Sequence, residues 1–361
     1  MVTARPRDSD NDSGTDTTEV VVEGAGYVIV DDLKADLDAS SFTGQLEITR
    51  GQITGGAIDD VDIIVGTNGG SVDLGQAINQ TYIDASNMQS SSTLALQGDN
   101  ASVRVDQVAS GAIIDASGAG STPLTGAMEV ITLDGATNVN VKTGTAITSV
   151  TSDNGSVDIE ADELTDTMTL VGSSTFGVTA LETNLVASST TGDVTITTAA
   201  ITGLDGTTPK LTVTAGSGNF TINGDDSVEG NTDILDITVN ADFLSDQFDD
   251  VDLVLTGDAE YFIVNNSAMG EVTIDASQLE ADGGLTLAGD GDFRLVNTTR
   301  DVEAPNLAGR VTVETDTGTV NIIDVTAGTG FLGVDAKDTG DQITVDAANL
   351  TDDEIDFEQT L

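Results

Sequence analysis

Three residue types are missing from this sequence, and cations are scarce. The 361-residue chain contains no Cys, His or Trp, and its 11 Lys and Arg face 62 Asp and Glu, a formal net charge of -51. Without Cys there is no disulfide scaffold, so a chain working outside the cell must be held together by other means. Without His or Cys, soft-metal sites and imidazole-activated nucleophiles are excluded, and the oxygen ligands that remain suit hard cations such as calcium. The shortage of Lys and Arg argues against nucleic acid and anionic membrane surfaces as partners, because phosphate affinity is built from cations and here the field is repulsive. No apolar run reaches the roughly 18 residues of a membrane span, so membrane insertion is not expected. Nor does the start read as a secretory signal; either it has been removed or export uses a route without one.

What is present is apolar enough to fold. At 38% hydrophobic, the composition departs from that of a disordered acidic polymer, and a large folded body is expected. Short β-type triplets recur at Val157, Val194, Ile237, Val272, Val311 and Ile343, each alternating apolar and polar as a half-buried strand does. A second strand follows at Met168, Leu211, Leu253 and Leu285, and then an aromatic at Phe176, Phe220, Phe262 and Phe293. Blurred earlier copies include "LDAS" at Leu37 and "IDAS" at Ile83 and Ile114. A unit of this size cannot bury its apolar face alone, so successive coils must stack. The spacing predicts an all-β fold: a parallel β-solenoid with about three short strands per coil and a coil of roughly 35 residues.

Stacking turns equivalent residues into columns about 4.7 to 4.9 Å apart. The four Phe are expected to form one internal ladder, a matter of core packing. Another column contains Glu160, Thr197, Asn240, Asp275, Glu314 and Asp346, and the tight corners hold Asp99, Asp258, Asp290 and Asp292. Two readings stand for these acids: turn formers whose side chains face solvent, or ligands of bridging divalent cations.

The stretch "DSDNDSGTDTTE", residues 8 to 19, bears on the same choice. A calcium loop of the EF-hand type places oxygen ligands at positions 1, 3, 5, 9 and 12, which here are Asp8, Asp10, Asp12, Asp16 and Glu19. Ser13 takes the usual Gly position, and no flanking helices are expected: "MVTARPR" is short and "VVVEGAGYVIV" reads as a strand. The loop is thus similar to the helix-free calcium loops of extracellular proteins; a disordered acidic tail is the competing reading. Candidate calcium ligands are these five residues with Asp258, Asp290 and Asp292.

Catalysis by a β-helix enzyme acting on polysaccharide would need paired carboxylates in a cleft, or Arg and Lys set against a developing anion. The acids are instead spread through the repeats and the basic residues do not cluster, so no enzyme is expected. The phrases "VTIDASQLEADGGLTLAG", "VDIEADELTDTMTLVG" and "ITVDAANLTDDE" resemble the β-strand repeats of bacterial calcium-dependent S-layer proteins and type I-secreted surface proteins. That resemblance implies an extracellular, self-associating structural protein. The expected layout is an acidic calcium-loop-like segment and assembly strand over 1–30, solenoid repeats over 31–350, and an acidic assembly or secretion segment over 351–361. The partner so implied is another copy of the chain, head to tail, through "EVVVEGAGYVIV" and "DEIDF", with cell-surface carbohydrate as a further candidate. A solenoid stalk of a surface adhesin is the alternative.

Overall fold

The computed structural model describes residues 2–7, 17–51, 61–75, 81–99, 102–118, 123–199, 210–224, 236–241, 253–257, 261–267, 270–279, 284–316, 322–350 and 356–358. Every regular element among them is a β-strand. The local cause is the alternation of β-branched or aliphatic residues with Thr, Ser and Asp, which suits a pleated strand and disfavours a helix. In the strand Val194–Thr198, Val194, Ile196 and Thr198 are buried while Thr195 and Thr197 face outward.

The chain divides into two compact units, residues 1–177 and 178–361. In the first, one sheet is built by successive parallel pairing of Tyr27–Leu33, Gln45–Arg50, Gly69–Asp73, Thr93–Gln97, Ile113–Asp115, Val139–Lys142 and Ser156–Glu160. A second sheet runs in parallel through Thr17–Val22, Leu37–Asp38, Val61–Ile64, Thr81–Asp84, Val103–Val108, Ala127–Thr132, Ile147–Thr151 and Met168–Gly172. The chain visits the two sheets alternately, so each strand pairs with the next but one. The exception is Val2–Arg7, which closes one end of the second sheet by pairing antiparallel with Thr17–Val22.

The second unit repeats the scheme. One sheet runs from Val194–Thr198 through Phe220–Gly224, Leu253–Gly257 and Glu271–Leu279 to Asp356–Glu358, and the other from Leu185–Thr190 through Lys210–Thr214 and Asp236–Asn240 to Gln342–Asp346. Both units are thus wound as the expected parallel β-solenoid.

The register corrects two details. Val139 faces Val157, 18 residues on, Gly69 faces Thr93, 24 residues on, and Phe220 faces Leu253, 33 residues on, with one described strand of the other sheet between partners. From Val139 to Val157, where every residue is described, the coil has two strands and is shorter than the roughly 35-residue, three-strand unit suggested by the recurring triplets. Those triplets mix the two sheets: in the second unit Val194, Val272 and Val311 lie in one, Ile237 and Ile343 in the other. Both sheets need the same alternation, so sequence similarity does not tell them apart.

The Phe ladder fails for the same reason. Phe176, Phe220, Phe262 and Phe293 are all fully buried. Phe220, however, lies between Val194 and Leu253, Phe293 between Val272 and Val311, and Phe262 on the opposite sheet between Ile237 and Leu285. Each of these three rings is spaced by aliphatic side chains on the neighbouring rungs.

Some polar groups that enter the interior pair with one another, although among the described residues the buried hydroxyls of Thr81 and Thr298 make no hydrogen bond. In the first unit the Thr132 hydroxyl donates to Ser152 Oγ at 2.6 Å, Ser152 and Ser174 share a hydrogen bond of 2.8 Å, and Ser174 Oγ accepts the Gly155 N–H at 2.9 Å. This buried hydroxyl line holds one corner across three rungs, satisfying groups that would otherwise be costly to bury. The same corner needs glycine: a Cβ on Gly155 would lie 1.7 Å from the Ala136 carbonyl oxygen.

If the buried rings carry the interior, Phe262→Ala lowers the unfolding free energy by about 3–5 kcal/mol in a urea titration. Thr238→Ala, on the outward face of the adjacent strand, stays within about 0.5 kcal/mol of the parent. Equal effects at the two positions would contradict the inward and outward assignment.

Candidate functional site

The repeated "DAS" segments mark the corners, and the structure shows what their aspartates do. The carboxylates of Asp38, Asp84, Asp115 and Asp275 accept the backbone N–H two residues on, at Ser40, Ser86, Ser117 and Ser277, over 2.8 to 3.0 Å. Asp346 does the same for Ala348 at 3.0 Å. The side chain mimics a backbone turn, and the following residue (Ala39, Ala85, Ala116 or Ala276) is driven fully into the core. For these acids the turn-former reading holds.

The single acidic column does not form. In the second unit Asn240 and Asp346 lie on one sheet and Thr197, Asp275 and Glu314 on the other, while Glu160 belongs to the first unit. Instead, several of the few cations sit one rung away from an acid or two residues from one along the chain. Lys142 faces Glu160 across adjacent strands, with Nζ 2.8 Å from the carboxylate. Arg104 Nε lies 3.0 Å from Asp106, and its guanidinium reaches Glu129 at 3.6 Å. Glu314, which faces Asp335 in register, is bridged by Arg294 at 2.9 Å and Lys337 at 3.3 Å, and Lys337 also pairs with Asp335. The cross-strand pairs among these join residues 18 to 25 apart in the chain and are set by the register, so the sequence alone does not show them.

The hydrogen bond to Glu160 raises the Lys142 pKa, and hydrogen bonds to Asp335 and then Glu314 raise that of Lys337. Arg104 is held further into its charged form by Asp106. The Tyr27 hydroxyl donates to Glu47, which raises the phenol pKa.

Of the candidate calcium ligands, Asp8, Asp10, Asp12, Asp16 and Asp258 lie outside the described residues. Their surroundings are partly described: Val2–Arg7 and Thr17–Val22 pair antiparallel with Arg7 opposite Thr17; the strand after the acidic stretch is as expected, the one before it is not. Glu19 lies on the second arm, buried and opposite Arg5 in register. Asp290 is exposed. Asp292 is half-buried and ties neighbouring segments together, since its carboxylate accepts the Arg310 N–H at 2.7 Å and its carbonyl accepts from Asn266 Nδ2 at 3.2 Å. Among the described residues no three Asp or Glu side chains converge on a point that could hold a metal ion.

The sheet edges are the other candidate feature. In the first unit, Tyr27–Leu33 pairs with Gln45–Arg50 on one side and with no other described strand. Val28 and Val30 are half-buried there, whereas their partners Leu46 and Ile48 on the next rung are buried, and Tyr27 and Ile29 are more than half exposed. In the second unit, Gln342–Asp346 pairs with Ile322–Thr326, leaving Ile343 and Val345 half-buried over the buried Ile323 and Val325. Core positions therefore meet solvent at these edges. The "DEIDF" segment contributes Asp356–Glu358, paired with Leu332–Asp335.

The Glu314 cluster makes a signed prediction. Because the folded-state Lys337 pKa is raised, its contribution is fully present below the ordinary lysine value of 10.5 and fades as the pH climbs through the raised one. Lys337→Met should cost up to about 1 kcal/mol at neutral pH, discounted for solvent screening, and the gap to the parent should close in strong alkali. Unfolding titrations from neutral to alkaline pH check this; a gap that widened with pH would overturn it. Scans of the chain against protein families, curated proteins and solved structures return no match.

Proposed function

We propose that this chain is an extracellular structural protein that assembles end to end into a cell-surface filament or S-layer-like lattice stabilised by calcium. The supporting observation is the pair of edges, Tyr27–Leu33 and Gln342–Asp346, which pair on one side only among the described residues and whose core-facing Val28, Val30, Ile343 and Val345 are only half-buried. Interior strands spend their backbone groups on neighbouring rungs, so an edge is where another copy can add a rung. The role is mechanical, with no catalytic step assigned to any residue.

Charge sets the condition for assembly. Two copies of a chain carrying -51 repel unless cations intervene. Calcium at the 8–19 segment, through Asp8, Asp10, Asp12, Asp16 and Glu19, and at the corner acids Asp258, Asp290 and Asp292, would lower that repulsion beside the contacts. Oxygen-only donor sets of this kind favour a hard cation.

Electron microscopy of the purified chain should show ordered assemblies in calcium and dispersed particles after chelation. Dispersed particles in both conditions would overturn the reading. Val28→Lys or Val345→Lys, which places a charge on an open edge, should abolish assembly while leaving the circular dichroism spectrum of the dispersed chain unchanged. Thermal unfolding at fixed ionic strength should shift upward with micromolar to millimolar calcium, because a ligand that binds only the folded state stabilises it. A response to sodium alone would point to general charge screening.

A further inference from the structure

We propose that the outward face of the second sheet in the first unit carries a binding groove for a neutral oligosaccharide. A depression of about 450 Å³ crosses the strands Val61–Ile64, Thr81–Asp84, Val103–Val108 and Ala127–Thr132. Its size falls within the range of small-ligand sites. It is assembled by register: Asp62 faces Tyr82, Tyr82 faces Arg104, and in the neighbouring column Ile64 faces Asp84.

The chemistry of the lining selects the ligand. Tyr82 supplies an aromatic face with a polar tip, and Ile64 and Ile131, both half-buried, supply apolar ground. Around these stand planar polar groups. Asp84 and Asp106 are acceptors only, while the Arg104 guanidinium is a donor only, anchored by Asp106 and Glu129. Gln107 adds an amide that both donates and accepts. It is carried by a bulge: the register shifts between Val105 and Val108, and Gln107 takes a left-handed φ of 58°, exposed beside the groove.

Asp84 already accepts the Ser86 N–H and Asp106 accepts from Arg104, and the lone pairs left on both carboxylates suit a ligand rich in donors, while the field of the chain repels anions. A polyhydroxylated neutral ligand meets both conditions. Its C–H faces pack on an aromatic ring, and its paired hydroxyls bridge planar side chains. The groove crosses several rungs, so a chain of sugar units can meet polar groups on successive strands. This site is separate from the open edges, and its test uses the dispersed chain, so its outcome does not depend on whether the chain assembles.

Isothermal titration of the full chain with neutral tetrasaccharides (cellotetraose, maltotetraose and chitotetraose) should give saturable binding to at least one of them. Tyr82→Phe should keep that binding, and Tyr82→Ala should weaken it at least about tenfold, the scale of a lost aromatic contact. Gln107→Gly removes the amide without straining the left-handed backbone, and should weaken binding even if Tyr82→Ala perturbs the fold. A neutral ligand is unscreened, so affinity should hold between about 50 mM and about 500 mM salt. No binding to any of the three sugars would overturn the proposal, as would binding that Tyr82→Ala and Gln107→Gly leave unchanged. Capture of spermidine alone, lost in high salt, would identify the groove as a cation trap and overturn it too.

Discussion

The hydrogen bonding of each strand to the next but one is the constraint from which the rest of the molecule follows. Once that register is set, an inward position sees its counterparts one rung away on either side, and side chains must fill a space whose height is the strand spacing. Val, Ile, Leu and buried Ala meet the requirement, with a Phe admitted where its rung neighbours are aliphatic, as at Phe262 between Ile237 and Leu285. Corners are equally confined. Gly155 leaves no room for a Cβ, and the aspartates of the "DAS" segments fold their carboxylates back onto the backbone.

The same register sets some acids beside apolar residues and others beside one another. Asp275 lies between Val254 and Val296, whereas Glu314 faces Asp335, Asp84 faces Asp106, Glu271 faces Asp292 and Asp335 faces Glu358. Arg294 and Lys337 bridge Glu314 and its neighbours, and Arg104 pairs with Asp106. Each such ion pair is partly exposed and individually modest. Their placement matters because they sit where rung spacing would otherwise bring like charges together.

Much of this architecture was legible in the residues. Alternation in "VTITT" and "LTLAG" marks strands, and their repetition marks stacking. What could not be read was which strand lies on which sheet. Val272 and Ile237 start near-identical triplets yet belong to different sheets, so a period counted from triplets runs too long and columns drawn through it mix two faces. The Phe ladder and the acidic column both failed on that point. Of the candidate site, the acidic 8–19 segment was visible as a motif, whereas the strand Val2–Arg7 that precedes it was not, because its pairing with Thr17–Val22 depends on the register. The groove around Tyr82 was not visible, because its residues are drawn from four strands and converge only through register.

Amide hydrogen exchange on the dispersed chain tests the register most directly. Strands paired on both sides, such as Gln45–Arg50 in the first unit and Asp236–Asn240 in the second, should exchange slowly. Protection should fall toward the open edges at Tyr27–Leu33 and Gln342–Asp346. Rapid exchange at the doubly paired strands, or protection as strong at the edges as within, would contradict the account.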